Sequence, residues 1–131
     1  MISRRRFMKF VGMFGGFLMA FQGRKAHAES LSLPLEKVDI LRSTGGSVIL
    51  RVKGKEVLFI RDSETTVRAL NPTCTHQGCK VAYKKRVNRI ECPCHGSRYD
   101  IEGKVLKGPA TKDLQDYEAK LQDQHIVFSF R

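Results

Sequence analysis

The chain has 131 residues, room for one domain and not two, with 41% hydrophobic and 28% charged residues. A core of that size is limited, so covalent or metal staples would help to hold it. The formal net charge is +11, but residues 1–28 hold six Lys and Arg and no acid, which leaves 18 basic against 13 acidic groups, or +5, for the rest. That surplus suits an acidic partner or anionic lipid headgroups. It does not suit nucleic acid. Among Lys80, Lys84, Lys85, Arg86 and Arg89 only Tyr83 could stack on a base, and a strand with a solvated face accounts for the run.

The N-terminus reads as an address. Ser3-Arg4-Arg5-Arg6-Phe7-Met8-Lys9 resembles a twin-arginine export signal. An apolar stretch runs from Phe10 to Phe21, and Ala26-His27-Ala28 offers a small-x-small cleavage site after Ala28. Twelve residues of helix span about 18 Å, against about 30 Å of bilayer core. Cleavage is therefore expected in preference to retention as an anchor.

Residues 29–36 read as a linker or N-terminal arm ending near Pro34, and 37–131 as the folded domain. Short β-branched or alternating runs predict strands at Val38–Leu41, Ser47–Val52, Glu56–Ile60 and Thr66–Leu70. Gly45-Gly46 marks a turn and Lys53-Gly54-Lys55 a hairpin. Val81–Tyr83 and Arg89–Glu91 predict a further hairpin. Tyr99-Asp100 and Val105-Leu106 flank a tight turn at Glu102-Gly103, and Tyr117–Gln122 with His125–Phe130 predict a final hairpin. No ten-residue window after the signal has a helical period. The expected fold is all-β, a small antiparallel sandwich or barrel.

Two boxes carry the chemistry: Cys74-Thr75-His76-Gln77-Gly78-Cys79 and Cys92-Pro93-Cys94-His95-Gly96-Ser97. They read C-x-H and C-x-x-H, with residues 77–91 between them, and each has one further cysteine inside or closing it. Two thiolates and two imidazoles in Cys-His pairs suit a [2Fe–2S] cluster in which histidines replace cysteines on one iron.

The boxes closely resemble those of the Rieske family. The resemblance implies a base of antiparallel sheets with a small cluster-binding subdomain built from loops. It implies that Cys74, His76, Cys92 and His95 ligate the cluster, and that Cys79 and Cys94 form a disulfide joining the two loops, as in the high-potential branch. Histidine ligation leaves one iron electron-poor and raises the reduction potential. Ser97 and Tyr99 match positions whose hydroxyls donate to cluster and cysteine sulfur and raise the potential further. Ring-hydroxylating relatives tend to carry Trp at the Ser97 position. Gly108-Pro109-Ala110 resembles the proline loop that shields the cluster, with Thr111 where a second proline is common. Gln77 departs from the family, because quinol-oxidising members usually have Leu at this docking tip. Zinc could use the same donors but leaves the spacing, Ser97, Tyr99 and the export signal unexplained. His27 and His125 read as ordinary surface residues.

The resemblance therefore implies one-electron transfer outside the cytoplasm, in the periplasm or on the outer face of the membrane. The leading expectation is the iron–sulfur subunit of a quinol:cytochrome c oxidoreductase of the bc or b6f type, partnered by cytochrome b and a c-type cytochrome. The alternative is a soluble carrier, or the small subunit of a larger periplasmic enzyme such as an arsenite-oxidase-like one. Either would be delivered by the twin-arginine export machinery, which carries proteins already folded around their cofactors.

Overall fold

The computed structural model describes residues 28–130. Among the described residues, ten strands form two antiparallel sheets. The base sheet holds β1 (Ser30–Pro34), β2 (Ser47–Val52), β3 (Lys55–Arg61), β4 (Val67–Leu70), β9 (Asp116–Gln122) and β10 (His125–Ser129), in the order β1-β10-β9-β4-β3-β2. The smaller sheet is β5 (Ala82–Lys84), β6 (Arg89–Glu91), β7 (Arg98–Tyr99) and β8 (Val105–Lys107), in sequential order. The all-β antiparallel expectation holds, and the helical segments among the described residues are short 3-10 turns.

The run Val57-Leu58-Phe59-Ile60 on β3 explains how the two sheets join. Successive side chains of a strand point to opposite faces. Val57 and Phe59 enter one core with Val67, Ala69, Ile126 and Phe128. Leu58 and Ile60 enter a second core with Leu70, Val81, Ile90 and Tyr99. The strand is buried on both sides, so it reads as continuously apolar. The second core also holds Cys74 and Cys92, so the base packs directly beneath the two boxes.

Hairpin turns follow local chemistry. Lys53 and Gly54 have φ of 49° and 78°, and Asp123 and Gln124 have 48° and 62°. Positive φ at both central residues matches the right-handed twist of the flanking strands. The predicted hairpins at 81–91 and 117–130 form as β5–β6 and β9–β10.

Two expectations need correction. Val38–Leu41 is not a strand. Leu35–Lys37 and Asp39–Arg42 are 3-10 turns, closed by bonds from the Val38 N–H to the Leu35 carbonyl and the Leu41 N–H to the Val38 carbonyl. The residues they bury are Leu35, Val38 and Leu41, spaced by three as a 3-10 turn eclipses them, while Ile40 is 54% exposed. The segment 29–36, read as a linker or arm, contains β1, which pairs with β10 from Ser30↔Ser129 to Pro34↔His125. Leu31 and Leu33 alternate inward, and Pro34 stands at the end of an edge strand, where proline is tolerated.

Candidate metal centre

The two boxes fold alike. In the first, the Cys74 N–H donates to the Cys79 carbonyl at 2.7 Å, and the Gly78 N–H to the Cys74 carbonyl at 2.9 Å. In the second, the Cys92 N–H donates to the Ser97 carbonyl at 2.8 Å, and the Gly96 N–H to the Cys92 carbonyl at 3.0 Å. Each loop turns through a left-handed residue, at φ 77° for Gly78 and 78° for Gly96, a conformation that favours glycine. The β5–β6 hairpin sets the loops side by side, with Ala82 opposite Glu91, and Thr73 bridges Lys80 beneath the first box.

A disulfide joins Cys79 to Cys94, with S–S at 2.01 Å and Cα atoms 6.5 Å apart. The sulfurs of Cys79, Cys92 and Cys94 lie within 4.8 Å of one another. Two of those three are bonded to each other, so the staple sits beside the Cys92 thiol and is not a donor set itself. Cys74 and Cys92 are the free cysteines, and both are buried. His76 and His95 are exposed, with ring centroids 4.9 Å apart and planes at 89°. The loops thus present two soft donors inside and two imidazoles outside. This set, with no carboxylate in it, fits an iron–sulfur cluster and not a hard cation.

Tyr99 is buried on β7, and its hydroxyl lies 3.3 Å from the Cys74 sulfur. Burial pushes the Cys74 thiol up. Hydrogen bonds from the Tyr99 hydroxyl, the His76 backbone, the Cys92 thiol and the Gln77 backbone outweigh it and set Cys74 below its ordinary value. Tyr99 moves the other way, raised by burial and by its bond to Cys74. The proton therefore belongs on tyrosine, and the sulfur is the acceptor.

Ser97 is fully buried, and its hydroxyl oxygen accepts the Ala110 N–H at 3.0 Å. That bond ties the second box to the Gly108–Pro109 loop, whose peptide is cis. The hydroxyl keeps its own hydrogen to donate. Gly108, Pro109 and Gln77 are exposed.

Sequence reasoning passed over Thr75. Its hydroxyl donates to the Lys112 carbonyl at 2.6 Å, and the same oxygen lies 3.1 Å from the Tyr99 hydroxyl. Its N–H also donates to the Tyr99 oxygen at 3.3 Å. Its place as the variable letter of C-x-H was the available signal. Arg61, a single charge ending the apolar β3, was passed over too. It is buried, and its guanidinium donates to the carbonyls of Leu41, Ser63 and Glu64.

Fold and site together define an iron–sulfur electron-transfer domain. Residues 33–118 match the Rieske [2Fe-2S] domain, more than half of the chain. The chain belongs to that family, and its cofactor is a Rieske [2Fe–2S] cluster. It is 36% identical over 85 residues to cytochrome b6-f complex iron-sulfur subunit 1 of Nostoc sp. (strain PCC 7120 / SAG 25.82 / UTEX 2576), covering 63% of this chain and 48% of that protein. It thus spans about half the length of the curated relatives it matches. The structure of the cyanobacterial plasma membrane Rieske protein PetC3 from Synechocystis PCC 6803 is similar, with TM-score 0.60 and 36% identity over 65% of this chain and 87% of that one. A chain of a hyperthermophilic respiratory complex III aligns with TM-score 0.55 and 28% identity over 72% and 71%. Among the described residues no helix is long and apolar enough to cross a membrane. The twin-arginine reading of residues 1–28 lies outside the described residues, apart from Ala28.

Proposed function

We propose that this chain carries single electrons through a cluster held by Cys74, His76, Cys92 and His95, as the iron–sulfur subunit of a quinol:cytochrome c oxidoreductase of the bc or b6f type. The observation that carries this reading is the division of donors. Two buried thiols lie beneath two exposed imidazoles that face each other at 4.9 Å. When bound, the cluster supplies a one-electron site of raised potential. The protein's own groups do the rest. Tyr99 donates to the Cys74 sulfur, and Ser97 has a hydroxyl hydrogen free to donate toward sulfur. Both favour the more negative, reduced state. His76 or His95, binding through one ring nitrogen, keeps the other for a hydrogen bond to a quinol hydroxyl and for its proton. The Cys79–Cys94 bond keeps the two ligand loops together, and the Ala110 N–H ties the Gly108–Pro109 loop to Ser97 of the second box.

Residues 1–28 act as a twin-arginine signal in this reading, and the folded domain follows from β1 onward. The protein then works in the periplasm or on the outer face of the membrane, where a disulfide persists. Changing Arg4 and Arg5 together to Lys should leave cluster-bearing protein in the cytoplasm. Export of the double variant at the normal rate would remove this part.

The deciding experiment is a metal and sulfide analysis of the purified protein, joined to an electron paramagnetic resonance spectrum of the reduced state and a test of reduction by a short-chain quinol. Two irons, two labile sulfides, a Rieske-type spectrum and reduction by quinol are expected. Stoichiometric zinc without labile sulfide would refute the reading.

A second reading is favoured by Gln77, an exposed amide at the tip where quinol-oxidising subunits usually present an apolar side chain. It makes the chain a soluble carrier, or the small subunit of a larger periplasmic oxidoreductase such as an arsenite-oxidase-like enzyme. Co-purification with a molybdopterin enzyme instead of a cytochrome b would select it.

A further inference from the structure

The disulfide has a free thiol beside it. The sulfurs of Cys79, Cys92 and Cys94 all lie within 4.8 Å of one another, and two of them are bonded. Of the free cysteines Cys74 and Cys92, only Cys92 is grouped in this way with both sulfurs of the disulfide among the described residues. Local structure brings the three together. The β5–β6 ladder pairs Ala82 with Glu91, and the same register continued outward faces Cys79 with Cys94. The Cys92 N–H bond to the Ser97 carbonyl fixes the second box, where Pro93 alone separates Cys92 from Cys94. The surroundings of the sulfurs differ: Cys92 is 2% exposed, Cys79 is half-buried and Cys94 is exposed.

We propose that loss of the cluster moves the disulfide onto Cys92. Iron that departs leaves Cys92 as a thiolate, the form that attacks disulfides. The thiolate attacks the Cys79 sulfur. A Cys79–Cys92 bond forms, the Cys79–Cys94 bond breaks, and its electron pair leaves on Cys94, which takes a proton from water. One S–S bond replaces another, so no outside oxidant or reductant takes part. Cys94 is the expected leaving group, because a thiolate there is solvated and one on half-buried Cys79 is partly desolvated. Exchange runs with the three sulfurs in line, and release from iron frees Cys92 to turn about its Cα–Cβ bond toward that axis. A thiolate held this close acts as an intramolecular reagent.

The product still ties the two loops together, but it has lost one ligand. Such a domain takes no new cluster until a reductant frees Cys92, and outside the cytoplasm a disulfide persists. The three cysteines therefore form a latch that closes when the cluster is lost and leaves Cys94 as a free, exposed thiol. This rests on the reading of Cys92 as a cluster ligand and adds what becomes of that ligand afterwards.

The test starts from the cluster-loaded protein, with iron and labile sulfide measured first. The cluster is removed anaerobically with ascorbate and a chelator, neither of which cleaves disulfides. Free thiols are trapped in denaturant with N-ethylmaleimide after increasing times, and the protein is cut with trypsin. Cys74 and Cys79 fall in the peptide 69–80, and Cys92 and Cys94 in the peptide 90–98. In the loaded protein the two peptides should be linked, with the label on Cys74 and Cys92. After cluster loss the label should move from Cys92 to Cys94 in most molecules, within about seconds to hours at about pH 8. Fragmentation at the Cys92–Pro93 bond distinguishes the two positions. The rate should not change on dilution, because the exchange is intramolecular. Separate peptides, with both labels on 69–80, would mark a Cys92–Cys94 bond: Cys92 is still captured, with Cys79 as the leaving group. A label that stays on Cys92, or a rate that falls on dilution, would overturn the inference and leave the cluster reading intact. A starting protein without iron and labile sulfide would instead remove the cluster reading, and this one with it.

Discussion

The Tyr99 hydroxyl stands between two acceptors, the Cys74 sulfur at 3.3 Å and the Thr75 hydroxyl oxygen at 3.1 Å. Thr75 gives its own hydrogen to the Lys112 carbonyl, so toward Tyr99 it can only accept. The single phenolic hydrogen is therefore shared. Tyr99→Phe removes the donor and should lower the midpoint potential of the cluster. Thr75→Val removes the competitor and should raise it, or leave it unchanged if the phenol already points at sulfur. A protein-film or chemical redox titration reads both. A lower potential for Thr75→Val would show that the hydroxyl does not compete for the tyrosine hydrogen.

Ser97→Ala should act on stability as well as potential. It leaves the buried Ala110 N–H without its acceptor, a cost of about 1–3 kcal/mol. Urea unfolding of the loaded protein should show that loss, and the redox titration a lower midpoint. Unchanged stability would mean that water replaces the hydroxyl.

Ligand and staple cysteines should separate. Replacing Cys74, His76, Cys92 or His95 by Ala should abolish the cluster. Replacing Cys79 and Cys94 together by Ala should leave a cluster that assembles, in a protein weaker by about 3 kcal/mol in the chain-entropy account of a loop closed over 15 residues. Iron content and chemical unfolding measure the two effects. Equal loss of cluster in all these variants would show that the cysteines are divided wrongly.

Acid should weaken the fold through two carboxylates. The Arg89 hydrogen bond, with Arg98 nearby, holds Glu91 below its ordinary value of 4.5, and Lys80 does the same for Glu56. A depressed pKa in the folded state means that the unfolded chain takes up protons first. The contribution is complete above the unfolded pKa and is lost as pH falls through it to the folded value. Thermal unfolding from about pH 7 to about pH 3 should therefore show a flatter acid limb for Glu91→Gln and for Glu56→Gln than for the parent. An unaltered limb in both would mean that these pairs add nothing to the fold.

The sequence by itself determined the two Cys-His boxes, the hairpin that presents them and most of the strands. C-x-H and C-x-x-H, Lys53-Gly54 and the alternation of β9 and β10 are local patterns, and local sterics and turn chemistry decide them. Only the tertiary structure decided the rest. Leu31 and Leu33 make a strand because β10 offers an edge 95 or so residues later in the chain, and Val38–Leu41 coils because the core accepts every third residue there. Thr75 became visible as a partner of Tyr99 only when residues 24 apart met around one hydroxyl. The burial of the thiols and the exposure of the imidazoles come from the same source. They depend on β3 filling the space beneath the boxes, and no spacing within the boxes encodes that.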